Sequence, residues 1–235
     1  MQGIREISSI QLIAVMIVPL VFAIVLHEVA HGWMARLKGD DTAYRMGRLT
    51  LNPLAHVDPF GTVLLPILFF ISTGILFAIA KPVPVNFMNL NRPKEDMVWV
   101  AAAGPGMNMA LALLSAFILQ MLKLFSDNVD VYLSFVPQGL MPTNASVILF
   151  PIVGMLWFSV VLNVVLGIIN LIPIPPADGG RIAVGLLPRK QAAAYARIEP
   201  AGIFLIIFIV MFNPMGVTNR IIWPLIMWIV GLLIY

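Results

Sequence analysis

The chain has 235 residues, 60% of them apolar and only 11% charged, against about 25% charged in soluble domains. Mean hydropathy is +0.98, so the composition excludes an ordinary soluble domain and predicts a multi-span membrane protein with one membrane-embedded domain, residues 1–235. The net charge of +3 is small and there is no cysteine; this fits a lipid-bilayer protein rather than a nucleic-acid binder and leaves only His, Asp and Glu as metal ligands.

In chain order, the first apolar run is longer than a signal-peptide core. It leads into HEVAHGW with no small-residue cleavage site before it, and reads as an uncleaved first span. Six apolar blocks follow one another at roughly 9–37, 60–80, 97–124, 146–171, 199–213 and 220–235. The expected fold is an all-α bundle of five to six transmembrane helices with a small interfacial or re-entrant β element. Its candidate strands are Tyr44–Leu51 and the alternating Val83, Val85 and Phe87 of Val83–Leu90. The stretch 81–96 opens with Pro82 and Pro84 and cannot be a regular helix; 172–180 is too rich in Pro and Gly to be helical.

Basic residues orient the bundle. Arg36, Lys38, Arg45 and Arg48 follow the first block, and Arg181, Arg189, Lys190 and Arg197 follow the fourth, whereas 125–145 has Asp127 and Asp130 and no Lys or Arg. The ends of blocks one and four are therefore expected in the cytoplasm and 125–145 outside, in a multi-pass membrane protein. Blocks one and four then run parallel, which needs an odd number of crossings between them, yet hydropathy shows two. Either block 60–80 dips and returns at Pro66 or Gly74, or it spans and Lys81–Leu90 comes back as extended chain. The extended return is the preferred expectation, because about ten extended residues cover a ~30 Å core.

HEVAH places His27 and His31 four residues apart, about 40° apart around a helix, on one face. Glu28 points about 100° from His27, toward a water rather than a metal. Three ionisable groups within five residues of an apolar helix cost on the order of several kcal/mol in hydrocarbon, and a divalent metal compensates. A catalytic zinc needs a third protein ligand. His56, Asp58, Asp178 and Glu199 are the candidates. Asp178 is the best, because it lies in a Pro/Gly break directly after a membrane block. His56 reads first as a loop-packing or interfacial histidine, then as a site-lining residue, and last as a ligand. Glu199 precedes Pro200 at a helix start and reads as structural. Asn163 and Asn170 lie seven apart on one helix face, which suits a helix–helix polar contact or a hydrogen bond to a developing oxyanion equally. Gly104, Pro105, Gly106 and Asn108 suit close helix packing.

HEVAH in the first block, AGPGMN at 103–108 and NLIPIPPADGG at 170–180 together resemble the site-2 protease family of intramembrane metalloproteases. The similarity spans most of residues 20–190, and the short length without a PDZ insertion resembles the small bacterial branch. The resemblance implies one zinc per chain held by His27, His31 and Asp178, Glu28 as catalytic base, and Asn170 near the substrate or oxyanion. It implies hydrolysis of a peptide bond in or near the membrane segment of a single-span membrane protein, in regulated intramembrane proteolysis. Ala177 stands where the family usually has Leu, at a packing position, and block 60–80 has no counterpart in minimal members. A zinc transporter and a catalytically silent membrane scaffold are the competing readings; Glu28, a base beside the metal site, argues against the first, and the intact HEVAH with Asp178 against the second.

Overall fold

The computed structural model describes residues 3–58, 64 and 81–235. The block 60–80, with the bends expected at Pro66 and Gly74, lies outside them apart from residue 64. The described chain is mostly helical. In order it forms β1 (Ile4–Glu6), α1 (Ser9–Leu37), α2 (Thr42–Arg45), α3 (Pro93–Phe125), α4 (Asn128–Phe135), β2 (Leu140–Pro142), α5 (Leu149–Asn170), α6 (Asp178–Leu186), α7 (Arg189–Ala196), α8 (Glu199–Phe212) and α9 (Trp223–Ile234). Among the described residues α1, α3 and α5 are long and apolar enough to cross a membrane. The 29 residues of α1 extend about 43 Å, more than a ~30 Å hydrocarbon core. Ile10, Ile13, Ile17 and Phe22 on α1, and Leu113, Leu114 and Phe117 on α3, are exposed, as lipid-facing side chains are when no water surrounds them.

Two compact units share the chain. One comprises Met1–Ala23, Pro105–Ile172 and Ala201–Tyr235; the other comprises Ile24–Gly104 and Pro173–Pro200. The core of the first is built from Leu119 on α3, Val129 and Leu133 on α4, Val153, Val160 and Val164 on α5 and Ile226 and Val230 on α9. A buried polar pair crosses it. Asn108 donates to Asn163 Oδ1 at 2.8 Å and to the Ala23 carbonyl at 3.2 Å, and Asn163 donates to its own helix at Ser159 O. Asn163 is thus a helix–helix contact, and in an apolar surround such a pair holds α1, α3 and α5 in register. In the second unit Ala35, Val100 and Leu90 pack together with Phe87 and Met97.

The β element is not where the sequence places it. Ile4–Glu6 pairs antiparallel with Leu140–Pro142, and these three-residue stretches carry too little periodicity to be read from sequence. Tyr44–Leu51 is not a strand. Asp40 accepts from Thr42 N–H in the turn ahead of the short helix α2, and Gly47 at φ +65° turns the chain out of it. Val83–Leu90 is not a paired strand either; Asn86 caps a single 3₁₀ turn, Phe87–Asn89. The Gly pair of 172–180 is helical after all: Asp178, Gly179 and Gly180 open α6. Glycine is required at 180, because a Cβ there would sit 2.2 Å from Pro175 N where the Pro-rich turn folds back onto the helix start. The extended return of Lys81–Leu90 is also corrected. Lys81 N–H donates to the His56 carbonyl at 3.0 Å, so the described residues flanking block 60–80 meet, and Lys81 cannot lie across a ~30 Å core from His56.

Candidate metal centre

His27 and His31 occupy one face of α1, as their spacing requires, and their rings meet edge to face with centroids 4.7 Å apart. The His31 Nδ1 lies 2.7 Å from the Val100 carbonyl. A carbonyl only accepts, so Nδ1 carries the proton and Nε2 presents its lone pair to the site. Gly104, one helical turn further along α3, lets the backbone come close. A Cβ there would lie 2.4 Å from His31 Nε2 and 2.6 Å from His27 Cε1.

Asp178 arrives from the start of α6. The turn before it is fixed by Ala177 N–H donating to Ile174 O at 3.0 Å and by the Tyr195 hydroxyl donating to the Pro173 carbonyl. Gly185 brings α6 onto α3, where a Cβ would meet Val98 at 2.3 Å and Lys94 O at 3.1 Å. Asp178 Oδ2 then lies 3.2 Å from His27 Nε2 and 3.3 Å from His31 Nε2, and the two Nε2 atoms are 3.1 Å apart. All three residues are buried, and Asp178 Oδ2 has no hydrogen-bond donor. The fit to zinc is quantitative: ligand atoms on a tetrahedral ion at 2.0–2.1 Å stand about 3.3–3.4 Å from one another. Among the described residues this is the one group of three such side chains that could hold a metal ion.

Glu28 is half-buried beside this group, and its Oε2 accepts from Val83 N–H at 2.8 Å. Gly32, one turn beyond Glu28 on the same face, makes room for Val83; a Cβ there would meet Val83 Cγ1 at 2.8 Å. The other candidates for the third ligand are not in this group. His56 is buried in its loop with Nε2 donating to the Thr50 carbonyl at 2.9 Å, the packing role read first for it. Glu199 faces Arg181 at 3.8 Å at the start of α8. Asp58 is not in the group. Asn170 belongs to the other unit and donates to Leu166 O in its own helix. Sequence reasoning missed Val83 N–H, because a backbone donor carries no residue signature; the Pro-Val-Pro run was its nearest signal.

Residues 15–213 match peptidase family M50. The chain belongs to that family. M50 is the site-2 protease family, which the HEVAH, AGPGMN and NLIPIPPADGG motifs resemble, and no PDZ segment lies within the match. This M50 peptidase is 34% identical over 225 residues to YwhC of Bacillus subtilis, a protein named as a zinc metalloprotease; the match covers 92% of this chain and 87% of YwhC. It is 29% identical to Rip2 of Mycolicibacterium smegmatis, also named as a zinc metalloprotease, over 96% of this chain and 76% of Rip2. No solved structure matches it. Family and geometry agree on the class: the M50 chain is a membrane-embedded zinc metalloprotease.

Proposed function

We propose that the chain is an intramembrane endopeptidase that cleaves a peptide bond in or near the membrane segment of a single-span membrane protein, in regulated intramembrane proteolysis. The observation that carries this reading is the convergence of three ligand atoms 3.1–3.3 Å apart, with a carboxylate next to them that is not one of them. His27, His31 and Asp178 hold the zinc. Bound there, zinc supplies a Lewis acid that lowers the pKa of water and polarises the scissile carbonyl. Glu28 takes the proton of the attacking water on the oxygen not engaged by Val83 and delivers it to the leaving amine. Asn170 donates to the oxyanion. The whole chain, 1–235, acts as one domain of five to six crossings in a bacterial cell membrane, with its site toward the cytoplasm.

A substrate helix must unwind before attack, and an extended segment can then add to an exposed edge. Pro82 and Pro84 offer no N–H, so one side of Lys81–Asn86 cannot pair. The other side carries Val83 and Val85, and Val83 already points its N–H at Glu28. That N–H is committed to Glu28, so Val85 and the Val83 carbonyl are the part of this edge left for the unwound substrate.

The deciding experiment incubates the detergent-purified protein with candidate single-span membrane proteins, with and without a chelator, beside Glu28→Gln. Zinc is retained in Glu28→Gln and cleavage falls by at least ~10²-fold, the usual cost of losing a general base. Wild-type cleavage by Glu28→Gln overturns the mechanism. Zinc movement across vesicles without cleavage returns the transporter.

A further inference from the structure

Glu28 is one end of a chain of contacts that starts at Arg48. Gly47, at φ +65°, turns the backbone so that Arg48 N–H donates to Ala43 O at 2.9 Å. The Arg48 guanidinium then reaches back across the segment after block 60–80. Its Nη2 donates to the Lys81 carbonyl at 3.2 Å and the Pro82 carbonyl at 3.4 Å. Lys81 N–H is held by the His56 carbonyl at 3.0 Å, and Pro82 has no N–H to give. Four residues after Pro82, Asn86 N–H is held by Asp40 Oδ2 at 2.7 Å. Between these anchors Val83 is buried beside Gly32 and donates to Glu28 Oε2.

The contact matters because a glutamate carboxylate rotates in a broad torsional well. One fixed donor on Oε2 decides which way Oε1 faces. We propose that Arg48 is a positioning residue for the general base: by gripping the Lys81 and Pro82 carbonyls it keeps Val83 N–H on Glu28 and so leaves Oε1 aimed at the reacting water. This rests on Glu28 being the base. Arg48 touches neither zinc ligand nor base, so its role differs from that of a ligand or a substrate contact. A donor is required because carbonyls only accept, and the Arg48 guanidinium supplies charge-assisted bonds to two successive carbonyls from one group.

The test uses the full chain in detergent with a substrate that wild type cleaves. Arg48→Ala, Arg48→Lys and Val83→Pro are compared, with Arg45→Ala as control, since Arg45 pairs with Asp41 on the surface. Three quantities are read: zinc content, amide hydrogen exchange of the peptide covering 81–88, and kcat and KM. Arg48→Ala retains zinc, exchanges faster in that peptide, and loses about 10-fold or more in kcat, as misplacement of a reacting group by a fraction of an ångström does. Its kcat falls by a larger factor than its KM rises, because the loosened segment also carries the proposed substrate edge. Arg48→Lys, still a cation, recovers part of the loss. Val83→Pro, which removes the donor itself, lowers kcat as much, and the double variant with Arg48→Ala is no slower than either alone. A wild-type kcat in Arg48→Ala, a change in KM alone, or losses that multiply in the double variant overturns the positioning role. If Arg48→Ala loses zinc through misfolding, Arg48→Lys and Val83→Pro decide by the same readings. Failure of the Glu28 reading is told apart by Glu28→Gln, and the exchange measurement needs no cleavage at all.

Discussion

Gly104 stands where any larger residue would strike His31: a Cβ on it would lie 2.4 Å from the Nε2 that faces the metal group. The atom struck is one of the three candidate ligand atoms, and its ring is held by the bond of Nδ1 to the Val100 carbonyl, so it has no easy direction in which to yield. Gly104→Ala is expected to lower zinc affinity at least ~10-fold, the lower bound for disturbing the surround of a ligating histidine. Elemental analysis and competition with a chelator measure it. Gly106→Ala, where a Cβ meets nothing within 4 Å, is expected to bind zinc as wild type does.

His27→Ala and His31→Ala each leave two ligands and are expected to lose zinc; Asp178→Ala is expected to weaken it strongly, since the ion then carries no carboxylate. His56→Ala is expected to retain full zinc, because its ring is committed to the Thr50 carbonyl. Full occupancy in Asp178→Ala would move the third ligand elsewhere.

Asp40 gives a pH dependence of stability. Burial works against its ionisation, but donors from Thr42, Asn86 and Asn89 outweigh it and hold the carboxyl below the usual range. A group whose folded pKa lies below its unfolded one stabilises fully above the unfolded value, about 3.9, and loses that contribution as pH falls through the folded value. The thermal unfolding midpoint in detergent is therefore expected to drop below about pH 4, and more steeply in wild type than in Asp40→Asn. At neutral pH Asp40→Asn is expected to be less stable by about 1–3 kcal/mol, since its amide nitrogen cannot accept from Asn86 N–H. Equal slopes would remove Asp40 from the acid transition.

The contact between Lys81 and His56 makes the topology testable in intact cells. The chain has no native cysteine, so Lys81→Cys and Asn91→Cys can be probed singly with an impermeant thiol reagent. Asn91 N–H donates to the Lys38 carbonyl at 2.7 Å, and Lys81 N–H to His56; both partners lie in the segment after α1 that carries the basic residues. Neither position is expected to label from outside. Labelling at Lys81 alone would restore an extended crossing, and labelling at both would place the site on the other face of the membrane.

The sequence by itself determined the class and pointed to the three side chains that the fold gathers into a group able to hold a metal ion. Long apolar blocks specify membrane helices because a backbone in hydrocarbon has few alternatives, and α1, α3 and α5 fall where hydropathy puts them. His27 and His31 were legible because helical spacing alone brings them onto one face, and Asp178 because a carboxylate in a Pro/Gly break at membrane depth has few other uses. Tertiary structure decided the rest. The pairing of Ile4–Glu6 with Leu140–Pro142 joins residues more than 130 apart through backbone groups that every residue possesses. The short helix at Thr42–Arg45 follows a turn in which Asp40 accepts from Thr42 N–H and also from Asn86 N–H, a partner far along the chain. The close passage of Gly104 over two histidines, and of Val83 N–H over Glu28, depends on which backbone happens to lie alongside. Side-chain chemistry is written in the sequence one residue at a time, but a backbone donor acquires a role only from the neighbour that folding brings to it.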